Sequence, residues 1–224
     1  MFDLSILNYV FIAIPILVAI TFHEAAHGWV AWKLGDDTAY RLGRVSFNPI
    51  RHIDFIGTIL VPALLVLSGV GFIFGWAKPV PVHFGRLGSP RRDMIMVAGA
   101  GPGANIILAI LSTVALVLSQ SFGLNTLSSI LIISIEINIL LAIFNMLPLP
   151  PLDGGRVATG LLPSELATRF SKLEPFGLFI IVGLIFIVPR VTQEMGLGID
   201  PFDWLVVSPR EFVTSIIYNF IGIR

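Results

Sequence analysis

Between residues 94 and 135 the sequence contains no Asp, Glu, Lys or Arg, a stretch about twice the roughly 20 residues that an apolar helix needs to cross a bilayer. The polar, turn-like cluster Gln120-Ser-Phe-Gly-Leu-Asn125 divides it into two expected helices, at about 93–119 and 126–147. Other apolar runs flank this pair. Residues 4–22 are charge-free, and their helical pattern continues to about Leu34. Residues 55–77 are interrupted by Pro62, Gly69, Gly71 and Gly75, and residues 175–189 span only if flanking residues join them. Residues 204–223 carry Arg210 and Glu211 and have the pattern of an amphipathic helix in the membrane interface. Only 12% of the chain is charged and 55% is hydrophobic, against about 25% charged in an average soluble domain, so the bilayer is the expected solvent.

The fold class expected is therefore an all-α polytopic membrane protein, a single domain over residues 1–224 with its catalytic core at about 4–156. It has about four transmembrane helices, a re-entrant hairpin at 55–77 and a C-terminal interfacial helix. The first positive charge is Lys33, so the first apolar run is expected to stay as a helix and not to be removed as a secretory signal. Formal net charge is zero with no basic block, which excludes nucleic acid as an expected partner. Cysteine is absent, so thiolate catalysis and disulfides are excluded and any metal must take nitrogen or oxygen ligands.

His23-Glu24-Ala-Ala-His27 has the H-E-x-x-H pattern. On a helix, positions i and i+4 fall roughly 40° apart, so both imidazoles can face one metal with Glu24 close enough to take a proton from its water. Three ionisable groups at the end of an apolar helix are costly without a partner. A catalytic zinc takes three protein ligands and leaves a position open. His52 and His83 lie in loops; Asp153, in Pro148-Leu-Pro150-Pro-Leu152-Asp153-Gly154-Gly155, is the better candidate, although spacing alone fits an Asp-Gly turn at a membrane boundary equally well.

Taken together, the motifs resemble the site-2 protease family of intramembrane zinc metalloproteases, in its compact form without PDZ or CBS modules. Phe22 with His23 to His27 matches the family's metal-binding helix, and Asn145-Met-Leu-Pro148-Leu-Pro150-Pro-Leu152-Asp153-Gly154 matches its N-x-x-P-x-P-x-L-D-G segment. Ala100-Gly101-Pro102-Gly103-Ala104-Asn105 is similar to its A-G-P-x-x-N segment, and the stretch at 75–82 to one found in compact members. The resemblance covers about residues 20–156. It implies one zinc ion on His23, His27 and Asp153, Glu24 as general base, and transmembrane segments of other proteins as substrates. By the same likeness, Asn105 is a candidate donor to substrate or oxyanion; the alternative for Asn105 and Asn145 is a helix–helix hydrogen bond. Glu136 is expected to make a structural bond, and His52 with Arg51 and Asp54 an interfacial polar cluster. Prolines 79 and 81 confine any strand at 78–82 to an edge, open to strand addition by an unwound substrate.

The rival reading is a membrane metal-transport or metal-binding protein, which needs ligands distributed across the bilayer. A protease acting on lipidated C-termini is disfavoured by the Leu-Asp-Gly motif. A shared zinc requires His23, His27 and Asp153 at one depth, so the helices that carry them to it run in the same direction. A re-entrant 55–77 hairpin satisfies that, and places the basic residues from Lys33 to Arg92 and from Arg156 to Lys172 on the cytoplasmic side. The acidic 194–203 loop is then expected on the opposite face, in a multi-pass cell-membrane protein whose site opens toward the cytoplasm.

Overall fold

A computed structural model of the chain describes residues 6–69 and 75–222. Four helical segments, Phe11–Lys33, Pro90–Ser121, Asn125–Asn145 and Ser164–Glu194, are long and apolar enough to cross a membrane. The protein is an all-α multi-pass membrane protein, as the hydropathy pattern predicts, and no strand occurs among the described residues.

The first helix, α1 (Ile6–Lys33), closes on a cation: Lys33 Nζ sits 4.7 Å from the centre of the Trp32 ring, at the negative end of the helix dipole. The expected start at Leu4 lies outside the described residues. Gly35 (φ +113°) then turns the chain into the short α2 (Thr38–Arg41). A 3-10 turn at Pro49–His52 and a wide π turn at Phe55–Leu60 lead into α3 (Val61–Ser68). Long helix α4 (Pro90–Ser121) has proline at its first position, where the missing N–H is harmless, and the Ser89 N–H donates to Asp93 Oδ2 at 2.7 Å. A turn through Gly123 (φ +68°) joins it to α5 (Asn125–Asn145).

Lipid gives helices no hydrophobic reason to associate, so close approach of small residues and interhelical hydrogen bonds must do it. Helix α4 supplies both. Ala98, Gly101, Asn105, Ala109, Ser112, Leu116 and Ser119 recur every three or four residues and are all buried, whereas Ile106, Ile107, Ile110 and Leu111 on the other face are exposed. Ser112 meets Ser134 of α5 at 2.8 Å, and Ser119 meets Ser128 at 2.8 Å. Bonds of this kind contribute about 0.6 kcal/mol each, so the α1–α4–α5 core depends at least as much on the van der Waals contact that its small residues permit.

A tight turn after α5 leads to α6 (Asp153–Leu161), which lies against α4 with Arg91 Nη2 on the carbonyl of Leu162. Gly154 and Gly155 are required there: a Cβ on either would stand under 3.0 Å from the backbone of Met146 or Pro150. The 175–189 run does recruit its neighbours. Helices α7 (Ser164–Ser171), α8 (Gly177–Val182) and α9 (Val188–Glu194) follow one another through a 3-10 turn at Glu174–Phe176 and a π turn at Gly183–Ile187. A third π turn, Asp203–Val207, precedes α10 (Ser208–Phe220). Each π turn ends two residues before a proline, at Pro62, Pro189 and Pro209. A proline cannot donate to the carbonyl four residues back and crowds it; at each site the residue just before the proline donates five residues back, Val61 to Ile56, Val188 to Gly183 and Ser208 to Asp203.

Two placements differ from the sequence expectation. Phe202, between Asp200 and Asp203, packs its ring 6.4 Å from Phe144 at the C-terminal end of α5. This part of the acidic loop therefore returns toward the Asp153 end of α5 and not to the opposite face. The amphipathic C-terminal helix, expected in the interface, docks lengthwise along α5. Ile217, Tyr218 and Ile221 pack on the Leu116–Ile135 core, and Arg210 Nη1 reaches Glu136 Oε2 at 3.0 Å. Its cationic residue is drawn to a carboxylate on α5 in place of lipid headgroups. Residue 223, its expected end, lies outside the described residues.

Candidate metal centre

Helix α1 aims His23 and His27, one turn apart, at the same point, and the turn after α5 brings Asp153 to it. His23 Nε2 lies 3.1 Å from His27 Nε2 and 3.1 Å from Asp153 Oδ2, and His27 Nε2 lies 3.2 Å from the same oxygen. All three residues are buried, and among the described residues they are the one group able to hold a metal ion.

The far sides of the imidazoles decide what these atoms are. His23 Nδ1 lies 2.6 Å from Asn105 Oδ1, and His27 Nδ1 lies 2.7 Å from the Val97 carbonyl. Both partners are acceptors, so both Nδ1 atoms carry a proton, and in the neutral imidazoles both Nε2 atoms then present lone pairs. Three buried lone pairs then converge, and Asp153 Oδ2 has no hydrogen-bond donor. Such an arrangement is repulsive unless a cation sits among the three atoms. Gly101 leaves the room for it: a Cβ there would stand under 3.0 Å from both His27 Nε2 and His23 Nε2. Nitrogen and carboxylate donors in this number, with space left open, suit zinc.

Comparison with known proteins agrees. The profile of peptidase family M50 matches residues 119–188, which include Asp153. YwhC of Bacillus subtilis (strain 168), named as a zinc metalloprotease, is 38% identical over 195 residues, 84% of each chain. The chain belongs to peptidase family M50. MJ0611 of Methanocaldococcus jannaschii, also named as a zinc metalloprotease, is 30% identical over 69% of this chain and 72% of its own. Rip2 of Mycolicibacterium smegmatis, likewise so named, is 28% identical over 79% of this chain and 66% of its own. No solved structure gives a significant match. As an M50 member the protein is a zinc metalloendopeptidase.

Elsewhere in this M50 site, Glu24 lies between the histidines and the 75–83 segment: its carboxylate is within electrostatic reach of His27, and its Oε2 accepts the Val80 N–H at 2.7 Å. That segment is held on its own chain. Lys78 N–H donates to the His52 carbonyl at 2.9 Å and His83 N–H to Asp36 Oδ2 at 2.6 Å, while Pro79 and Pro81 have no N–H. The 78–82 stretch, open at most to an edge strand, thus makes no ladder, and four donors of the 75–83 segment, those of Trp76, Lys78, Val80 and His83, are already engaged.

Of the other residues considered from sequence, Asn105 is fully buried, with its amide on His23, Ala19 and Asn138. Asn145 bonds the Leu141 carbonyl of its own helix. His52 is buried, with Nε2 on the Ser46 carbonyl at 2.8 Å, and Asp54 caps Gly57. Glu136 is held by Arg210 and Tyr218 and is not part of the His23–His27–Asp153 group. Sequence reasoning missed Arg44. This buried guanidinium lies within electrostatic reach of Glu24 and donates from Nη2 to the Lys78 carbonyl at 2.7 Å. One Arg among four basic residues in a loop carries no signal of burial, so nothing in the sequence set it apart. Asn138 was missed as a partner of the site for a different reason: the contact depends on the register of α4 against α5.

Proposed function

We propose that this peptidase hydrolyses peptide bonds within or next to transmembrane segments of other membrane proteins, from a site opening toward the cytoplasm. The observation that carries the reading is the convergence of three buried lone pairs, from His23, His27 and Asp153, beside the carboxylate of Glu24. His23 Nε2, His27 Nε2 and Asp153 Oδ2 would hold the zinc. When bound, zinc supplies a Lewis acid that acidifies a water and polarises the scissile carbonyl. Glu24 accepts the proton of the attacking water and returns it to the leaving amine, so the proton balance closes on one carboxylate. Val80 N–H and Arg44 hold that carboxylate and the strap beside it in place. Asn105 orients His23; its amide is already engaged, which favours this role over a direct contact with substrate.

A site at membrane depth needs a substrate segment brought to it within the bilayer, and the exposed apolar faces of α1 and α4 border it. The re-entrant reading of 55–77 is supported by the bonds from Trp76 N–H to the Gly57 carbonyl (3.1 Å) and from Thr58 Oγ1 to the Trp76 carbonyl (2.8 Å), which join the start of the segment to its end. Gly71, expected at its bend, lies outside the described residues. The rival metal-transport reading needs ligands at several depths. It is not favoured by a single cluster and a Glu136 already paired with Arg210.

Two variants test the reading. Glu24→Gln keeps size and hydrogen bonding but cannot take a proton, so it should retain zinc and lose cleavage of a single-pass substrate by about 100-fold or more. Asp153→Ala should lose zinc as well, measured by metal analysis after dialysis against a mild chelator. Wild-type cleavage by Glu24→Gln would remove the general-base role, and full zinc occupancy in Asp153→Ala would remove the ligand assignment.

A further inference from the structure

The structure assigns Asn138 and Asn105 a joint role as a one-way amide relay that fixes which nitrogen of His23 faces the metal position. It rests on the metal reading above. A buried asparagine can turn its oxygen or its NH2 toward a neighbour with little change of shape, and its bonding network alone chooses between them. At Asn105 the choice is made by acceptors. Asn138 Oδ1 lies 2.8 Å and the Ala19 carbonyl 3.2 Å from Nδ2, so the NH2 is drawn to that side. Asn138 is oriented in turn by its own Nδ2, which donates to the Ser134 carbonyl at 2.8 Å. A backbone carbonyl cannot reverse its role, so the polarity originates at the Ser134 and Ala19 carbonyls, and its shorter, stronger branch passes from α5 to α4 to α1.

The consequence falls on His23. With Asn105 Oδ1 facing it at 2.6 Å, Nδ1 must carry the proton and Nε2 is left free to coordinate. Were the amide of Asn105 reversed, its NH2 would require an acceptor at Nδ1. The proton would then move to Nε2 and block the ligand. Both asparagines have no exposed surface, so water cannot take over either bond. His27 does not share this dependence, because its Nδ1 is fixed by the backbone carbonyl of Val97 at 2.7 Å. Asn138, which makes no hydrogen bond to the histidines or to Asp153, is thus a positioning residue acting through Asn105.

The test uses the full chain purified in detergent, with zinc affinity read by competition against a chromophoric chelator and folding by circular dichroism. Asn138→Leu, close in volume but without the acceptor, should bind zinc about 10- to 100-fold more weakly while staying helical. Asn105→Asp presents an acceptor to His23 whichever way it turns, so it makes Asn138 dispensable. The double variant Asn105→Asp/Asn138→Leu should bind zinc at least as tightly as Asn105→Asp alone, because losing Asn138 Oδ1 also removes an acceptor that would face the second carboxylate oxygen. A merely structural Asn138 predicts no such rescue. Wild-type zinc affinity in Asn138→Leu, or a double variant as weak as Asn138→Leu, overturns the relay. His23→Ala serves as reference: if it keeps full zinc affinity, the metal reading has failed and not the relay.

Discussion

His23 and His27 show how much a side chain's far end matters. Their Nε2 atoms lie 3.1 Å apart, a spacing two neutral imidazoles tolerate only if something positive lies between their lone pairs. The space for it is set by a residue with no side chain. Gly101 stands where a Cβ would press within 2.6 Å of both Nε2 atoms. Gly101→Ala should therefore leave the helices intact and lower zinc affinity by roughly tenfold or more, the size of effect that disturbing the surroundings of a ligating histidine has. Metal titration with circular dichroism checks it, and a variant that binds zinc as wild type would show that the cluster has slack.

Among the elements, the 75–83 strap has most to do with the chemistry although it has no regular structure. It is clipped at one end by Asp36, which is fully buried and accepts from the Thr38 hydroxyl at 2.5 Å and the His83 N–H at 2.6 Å. Burial alone would raise the Asp36 carboxyl, but the hydrogen bonds from Thr38 and His83 outweigh it and hold the group below the usual carboxylate range. The sign follows: a depressed folded value gives stability that is present above about pH 3.9 and is lost as pH falls through the folded value. Asp36→Asn should accordingly lower Tm at neutral pH and flatten the acid limb of a Tm-against-pH curve. An unchanged acid limb would mean that the clip adds nothing to stability. The π turns ahead of Pro62, Pro189 and Pro209 belong to this scale too, since each widens the backbone immediately before a proline in an apolar segment.

For the whole molecule, sidedness follows from the metal and the strap together. Residues 33–52 and 76–92 are joined by the Lys78–His52, Asp36–His83 and Gly88–Leu34 bonds, so they share one face. The chain has no cysteine, which allows single cysteines to be introduced at Asp37 and Arg86 and labelled with an impermeant thiol reagent. Both should label from the cytoplasmic side alone, where short loops rich in Lys and Arg stay. Labelling of the two from opposite sides would contradict a re-entrant 55–77 segment. The acidic 200–203 stretch no longer supports this assignment, because Phe202 brings it back to Phe144.

Hydropathy and local pattern were enough to place the helices: charge-free runs, glycines and prolines mark α1, α4 and α5 to within a few residues, and H-E-x-x-H fixes two imidazoles on one helix face by period alone. Asp153 came from a motif, since spacing could not separate a ligand from a turn. What only the tertiary structure decided is which groups meet across helices. Asn105 against Asn138, Arg44 near Glu24, and Arg210 on Glu136 each depend on the register of elements far apart in sequence. The same holds for the docking of α10. A sequence period tells which face of a helix is buried, but not what stands opposite it, because in lipid that choice is made by small residues and paired polar groups whose partners lie on another segment.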